Sequence, residues 1–324
     1  MKKLLTIILI GTLSMLFAEV FSGASQAWFF NAWSLIATFP LYLFHLLFLL
    51  WIALNSKKIS ISQLYLFGII FALYESWITK VLWTGYIVNA TKPALGTILG
   101  LGISEFPILV FFFHPIMSFI VPILVFEILN KQAVSDHAKL LEKNRKKSKL
   151  ILLFLASIGT FIANGNQFNL LSANISLIGT IIIILILLYF TQKTNLEFFK
   201  FKKNKFILIS AYLLLLYVLM FFYLLPEKIP TTAVSYLSII IFYIFPISLL
   251  INSKKENIEY TNLTDKHYTA KDLGFFSIFV VLTTNIFCLI PNVAASLLFI
   301  SYYIIWLLGI TIFGLITYKA LKKQ

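Results

Sequence analysis

Leu170–Phe190 reads LLSANISLIGTIIIILILLYF, 21 positions without a charged side chain. At about 1.5 Å of rise per residue, such a run forms a helix about 30 Å long, which matches the hydrocarbon thickness of a bilayer. A helix also satisfies its own backbone hydrogen bonds, as lipid demands. Nine further apolar runs flank it, at residues 4–21, 33–54, 63–81, 105–128, 150–163, 206–225, 231–251, 273–290 and 293–318. The run at 150–163 is the shortest. The fold class that follows is all-α, a polytopic transmembrane bundle of ten spans.

Composition agrees. Of 324 residues, 60% are hydrophobic and 12% charged, against roughly 25% charged in soluble domains. Ten crossings leave no room for a sizeable aqueous domain, which excludes a built-in nucleotide-driven motor. The net charge of +14 points to membrane orientation and away from nucleic acid, because the basic residues sit in short stretches between apolar runs. With alternating spans and a cytoplasmic amino terminus, every basic residue except Lys80, Lys92 and Lys228 falls on the inner side, satisfying the positive-inside rule. Both termini are then cytoplasmic, and the expected location is the cytoplasmic (inner) membrane. Residues 1–27 have a second reading as a secretory signal, against which Glu19 inside the apolar stretch argues. Cys288 is the lone cysteine and has no partner for an internal disulfide.

The polar residues divide the chain into a four-span bundle (1–130), a basic cytoplasmic loop (131–149) and a six-span apolar scaffold (150–324). Ionisable residues inside spans are costly and normally face inward, paired or wetted. They concentrate in the first four runs: Glu19, His45, Glu75, Lys80, Glu105, His114 and Glu127. Glu75 lies twelve residues into its run, about 18 Å deep, and Thr79 is one turn away. His114 precedes Pro115, which kinks a helix and frees carbonyls for water or side chains. Together these residues outline an outward-facing polar pocket lined by four helices.

Each residue also has a purely structural reading. Glu105, after Ser104, suits a first-turn carboxylate at a helix amino terminus. Lys80 can snorkel, His45 can be a packing histidine, and Glu127 with Lys131 fits an i,i+4 boundary pair. Gly96 and Gly100 form a small-xxx-small pair in a segment, 94–103, that is too short to span and reads as re-entrant or interfacial. Asn89, Asn174 and Asn262 match the short glycosylation pattern. The sequence has no phosphate-binding glycine loop, nucleophile elbow or metal-type Cys/His cluster, so no cofactor and no metal is expected.

The run Glu75-Ser76-Trp77-Ile78-Thr79-Lys80 resembles the Glu-Glu-x-x-x-Arg signature of membrane-embedded glutamic proteases of the prenyl-protein and bacteriocin-processing kind. Ser76 stands for the second glutamate and Lys80 for arginine. Their Phe-x-x-x-His motif corresponds to Val110 through His114. The resemblance implies Glu75 as the water-activating residue and His114 as its partner. The chain also resembles uncharacterised prokaryotic polytopic membrane proteins with an intramembrane acid.

The residues themselves leave three functions open. In an intramembrane hydrolase of peptidase type, Glu75 and His114 would move protons and Lys80 would stabilise developing negative charge. Glu19, Glu105, His45 and Thr79 would line the pocket. In a proton-coupled small-molecule transporter, the same set would alternate in protonation. In a non-catalytic partner or immunity subunit, the buried charges would meet another helix. Expected partners are the lipid bilayer and a peptide or small-molecule substrate within the membrane, with no nucleic acid. Hydrolysis requires Glu75 and His114 within about 3 Å.

Overall fold

The computed structural model describes residues 1–86 and 92–322; Asn89 and Lys323 lie outside the described residues. Among these, ten helices are long and apolar enough to cross a membrane. In chain order, spans 1 to 5 are Lys2–Val20, Ser34–Ser56, Ile61–Thr79, Glu105–Asn130 and Arg145–Gly165. Spans 6 to 10 are Leu170–Phe190, Lys203–Tyr223, Ala233–Asn252, Ala270–Leu289 and Pro291–Lys322. Beside the helices there are two short antiparallel strand pairs, a hairpin of β1 (Thr97–Ile98) with β2 (Leu101–Gly102) and a long-range pair of β3 (Gln132–Val134) with β4 (Tyr260–Asn262).

Span 5 begins earlier than hydropathy indicates. The Asn144 side chain accepts from the Lys146 N–H at 2.8 Å, a helix N-cap, so the basic stretch after Arg145 is wound into the helix.

The chain forms two compact units that interleave along the sequence. The first unit comprises Met1–Leu46, Val121–Phe198 and Ile258–Tyr303. Spans 5 and 9 pack closely there: a Cβ on Gly159 would come 2.8 Å from the Thr283 hydroxyl. Asn174 and Asn285 exchange side-chain amide bonds at 2.6 and 3.0 Å, which satisfies two polar groups at once inside an apolar bundle. The 131–149 stretch, expected as a loop, is folded. It supplies β3 and a helix at Ser135–Leu141, and Ala133, Ala138 and Leu141 bury against Ile128 and Tyr268.

The second unit comprises Leu47–Ile120, Phe199–Asn257 and Ile304–Gln324. Its centre is the crossing of span 3 with the π-helical stretch Leu109–Ile120 of span 4. Pro115 has no N–H to give to this stretch, and the Tyr65 hydroxyl of span 3 donates to the Phe111 carbonyl at 2.7 Å. The two helices approach so closely that a Cβ on Gly68 would lie 2.4 Å from Pro115 Cα. Gly68→Ala must therefore push backbone from backbone. The expected cost is about 2 kcal/mol, in the range of overpacked cores, read as a lower midpoint in a denaturing-detergent titration.

Residues 94–103 are not helical. They form the β1–β2 hairpin, whose turn residues Leu99 and Gly100 have φ of 51° and 76°, the left-handed pair that a tight two-residue turn demands. Gly100 thus serves a turn, and its missing Cβ also leaves room for Ser235.

Candidate functional site: a carboxylate–imidazole–hydroxyl chain in the second unit

Glu75 opens a π-helical turn, Glu75–Thr79, at the end of span 3, and His114 lies in the π-helical stretch of span 4. Such turns widen a helix and recur at functional sites. His114 Nε2 faces Glu75 Oε1 at 3.0 Å, and His114 Nδ1 faces the Ser118 hydroxyl at 3.0 Å. All three side chains are buried. The Thr79 hydroxyl donates to Glu75 Oε2, and Tyr74 also hydrogen-bonds the carboxylate.

The protons in this chain are correlated. With Glu75 ionised, its oxygens only accept, so Nε2 carries a proton and Nδ1 of a neutral ring accepts from Ser118. A second proton can be held on either the ring or the carboxyl, and each choice rearranges the same three bonds. Tyr74 and Phe71 hold the imidazole, with ring centroids 5.0 and 5.8 Å from that of His114.

Two residues from the apolar scaffold join the site. Tyr217 of span 7 is half-buried within electrostatic reach of Glu75 and hydrogen-bonds Tyr243 of span 8. Tyr243 in turn accepts from Trp77 Nε1 at 3.1 Å. Spans 7 and 8 carry five tyrosines, Tyr212, Tyr217, Tyr223, Tyr236 and Tyr243, and nothing in the sequence singles out Tyr217 and Tyr243 among them.

The remaining expected site residues are engaged elsewhere. Lys80, expected to stabilise developing negative charge, donates to the carbonyls of Met220 (2.7 Å) and Leu224. Both lie at the carboxy end of span 7, where a cation is favoured; the Met220 carbonyl also accepts the Leu224 N–H at 3.1 Å. The ammonium also lies 5.5 Å from the Phe221 ring. Lys80 is fully buried and acts as a helix cap. Lys80→Met is expected to cost about 2 kcal/mol by leaving the Leu224 carbonyl without its donor, read as a lower midpoint in a denaturing-detergent titration.

Glu105 accepts from Ser104 at 2.7 Å in the first turn of span 4 and packs against Gly85 and Gly102, fitting its structural reading. Glu19 belongs to the first unit, where Tyr42 and Ser25 each donate to it at 2.6 Å. His45, also in that unit, bonds the Leu41 carbonyl of its own helix at 2.8 Å. Within the second unit, the residues gathered at Glu75 are His114, Thr79 and Tyr74, with Ser118 bonded to the far side of His114. No group of His, Cys, Asp or Glu suited to holding a metal occurs among the described residues.

Comparison with known proteins gives the chain its relatives. A family model described as "Uncharacterized membrane protein family" matches residues 8–322. The chain belongs to this membrane protein family. A family member in this sense is a multi-pass membrane protein, in keeping with the ten spans. An "Uncharacterized protein" of Archaeoglobus fulgidus is 40% identical over 162 residues, 48% of this chain and 50% of that protein. The chain thus spans about half the length of the curated relative it matches. No solved structure matches. Neither finding supports the resemblance to glutamic proteases.

Proposed function

We propose that this multi-pass protein sits in the cytoplasmic membrane with its basic segments inside and acts as a proton-coupled carrier of a small solute, with Glu75 and His114 as the proton-exchanging pair. The observation that carries this reading is the 3.0 Å bond between a buried carboxylate and a buried imidazole at the crossing of two π-helical segments. Glu75 already accepts from His114, Thr79 and Tyr74, so it has little capacity left to activate water. Loading a proton onto it weakens three bonds that tie span 3 to span 4 and to itself, which converts protonation into helix movement. Lys80 is spent on span 7, which removes the charge stabiliser that peptide hydrolysis would need.

One observation favours hydrolysis as the second reading. Ser118, His114 and Glu75 stand in hydroxyl–imidazole–carboxylate order, an arrangement recognised by its roles wherever it occurs. The two readings separate experimentally. In proteoliposomes adsorbed on a solid-supported membrane, a pH jump is expected to displace charge with the wild-type protein and not with Glu75→Gln, while Ser118→Ala stays active. No displacement in the wild type, or an equal one in Glu75→Gln, contradicts the carrier reading. Covalent labelling of Ser118 by a fluorophosphonate, lost in His114→Ala, would establish hydrolysis instead.

A further inference from the structure

In the first unit a cleft of about 470 Å³ opens beside the β3–β4 strand pair, lined by Asn130, Lys131, Gln132, Lys193, Thr194 and Asn262 among others. Its volume suits a small organic ligand, and its wall is fixed. Gln132 pairs with Asn262 across the two strands, Leu263 N–H donates to the Lys131 carbonyl at 3.0 Å, and Glu127 accepts from the Val134 N–H at 2.9 Å.

Two of the wall's side-chain acceptors are already occupied: Asn130 Oδ1 takes the Thr194 N–H at 2.9 Å, and Asn262 Oδ1 takes the Gln132 amide at 3.3 Å. Beside the Gln132 carbonyl oxygen, the lining offers a ligand two ammonium groups, the Asn262 amide N–H bonds and the Thr194 hydroxyl. No carboxylate lines the cleft, and neither lysine is in an ion pair among the described residues. Position adds to charge. Asn130 ends span 4, and Lys193 lies three residues past the end of span 6, which places the cleft at headgroup depth, where phosphates are concentrated.

We infer that this cleft binds a phosphate monoester, with Lys131 and Lys193 clamping the anion and Asn262 and Thr194 donating to its oxygens. This site is separate from the Glu75–His114 pair and does not rest on the carrier reading. The phosphate can belong to a lipid headgroup or to a soluble ester, and two probes distinguish the sources: dihexanoyl phosphatidic acid and glycerol 3-phosphate, titrated against the purified full chain in a non-ionic detergent with the thermal midpoint as readout. A saturable rise in midpoint is expected. Tighter binding of the phosphatidic acid identifies a lipid headgroup, and equal binding identifies a soluble ester. The double variant Lys131→Gln/Lys193→Gln is expected to weaken binding at least tenfold, whereas Lys146→Gln/Lys149→Gln, on exposed basic residues of span 5, changes it less than twofold. Asn262→Asp keeps the acceptor for Gln132 and puts a negative charge in the cleft, so it should abolish the shift while the protein still folds. No shift with either probe, unchanged binding in the cleft variants, or an equal loss in the span 5 control would overturn the assignment.

Discussion

His114→Ala is expected to lower stability by about 3–5 kcal/mol, the cost of leaving one half of a buried pair behind. The substitution strips Glu75 Oε1 of its 3.0 Å partner and leaves Ser118 facing a void where Nδ1 stood. It also removes the ring that stacks on Phe71 and meets Tyr74 edge-on. Only 10% of the Glu75 side chain is exposed, so water replaces the lost partner poorly. Glu75→Leu in the same chain should return most of the loss, since replacing a whole buried pair with apolar side chains is close to neutral. The two effects must therefore be strongly non-additive. Denaturing-detergent titrations of both single variants and the double variant measure this directly; additive losses would mean that the two side chains do not interact.

His137→Ala is expected to produce a loss of similar size in the first unit. Glu127 and His137 expose 1% and 0% of their side chains, and Nδ1 lies 2.8 and 3.0 Å from the two carboxylate oxygens. This pair replaces the Glu127–Lys131 contact expected from the i,i+4 spacing. It also anchors β3, because Glu127 accepts the Val134 N–H. Nearby, burial and then the Glu197 and Glu127 carboxylates push the Tyr260 phenol up from its ordinary range, so β4 starts on a neutral tyrosine. Without His137, Glu127 keeps one backbone donor, and the strand pair loses its tie to span 4. Hydrogen exchange should accelerate across residues 132–141 and 260–262 and remain unchanged around Glu75; protection that persists at the strand pair would show that β3 is held by other contacts.

Hydropathy made the ten spans legible because lipid permits so few alternatives: each crossing needs an apolar run of fixed length. Span 5 was underestimated because the scale penalises lysines that an N-cap and a headgroup layer accommodate. The Glu75–His114 pair was legible from depth and cost, since two ionisable groups at similar height must find partners. Direction was another matter. Lys80 sits one residue past Glu75's helical turn with φ of 60°, and that left-handed step aims it at span 7. Its target carbonyls lie about 140 residues along the chain, beyond any local pattern. His137 was read as part of a solvated basic loop, because the β4 strand that folds that loop comes from the segment between spans 8 and 9. Tyr217 and Tyr243 were missed because a phenol looks apolar until a carboxylate stands beside it.

The most direct measurement is infrared difference spectroscopy of the purified protein across a pH jump, which reads the carboxyl C=O stretch of a side chain as it gains a proton. Proton exchange at the pair predicts a band that shifts in D2O, disappears in Glu75→Gln and moves in frequency in His114→Ala. A spectrum in which no such band appears, or in which it survives Glu75→Gln unchanged, would contradict the account.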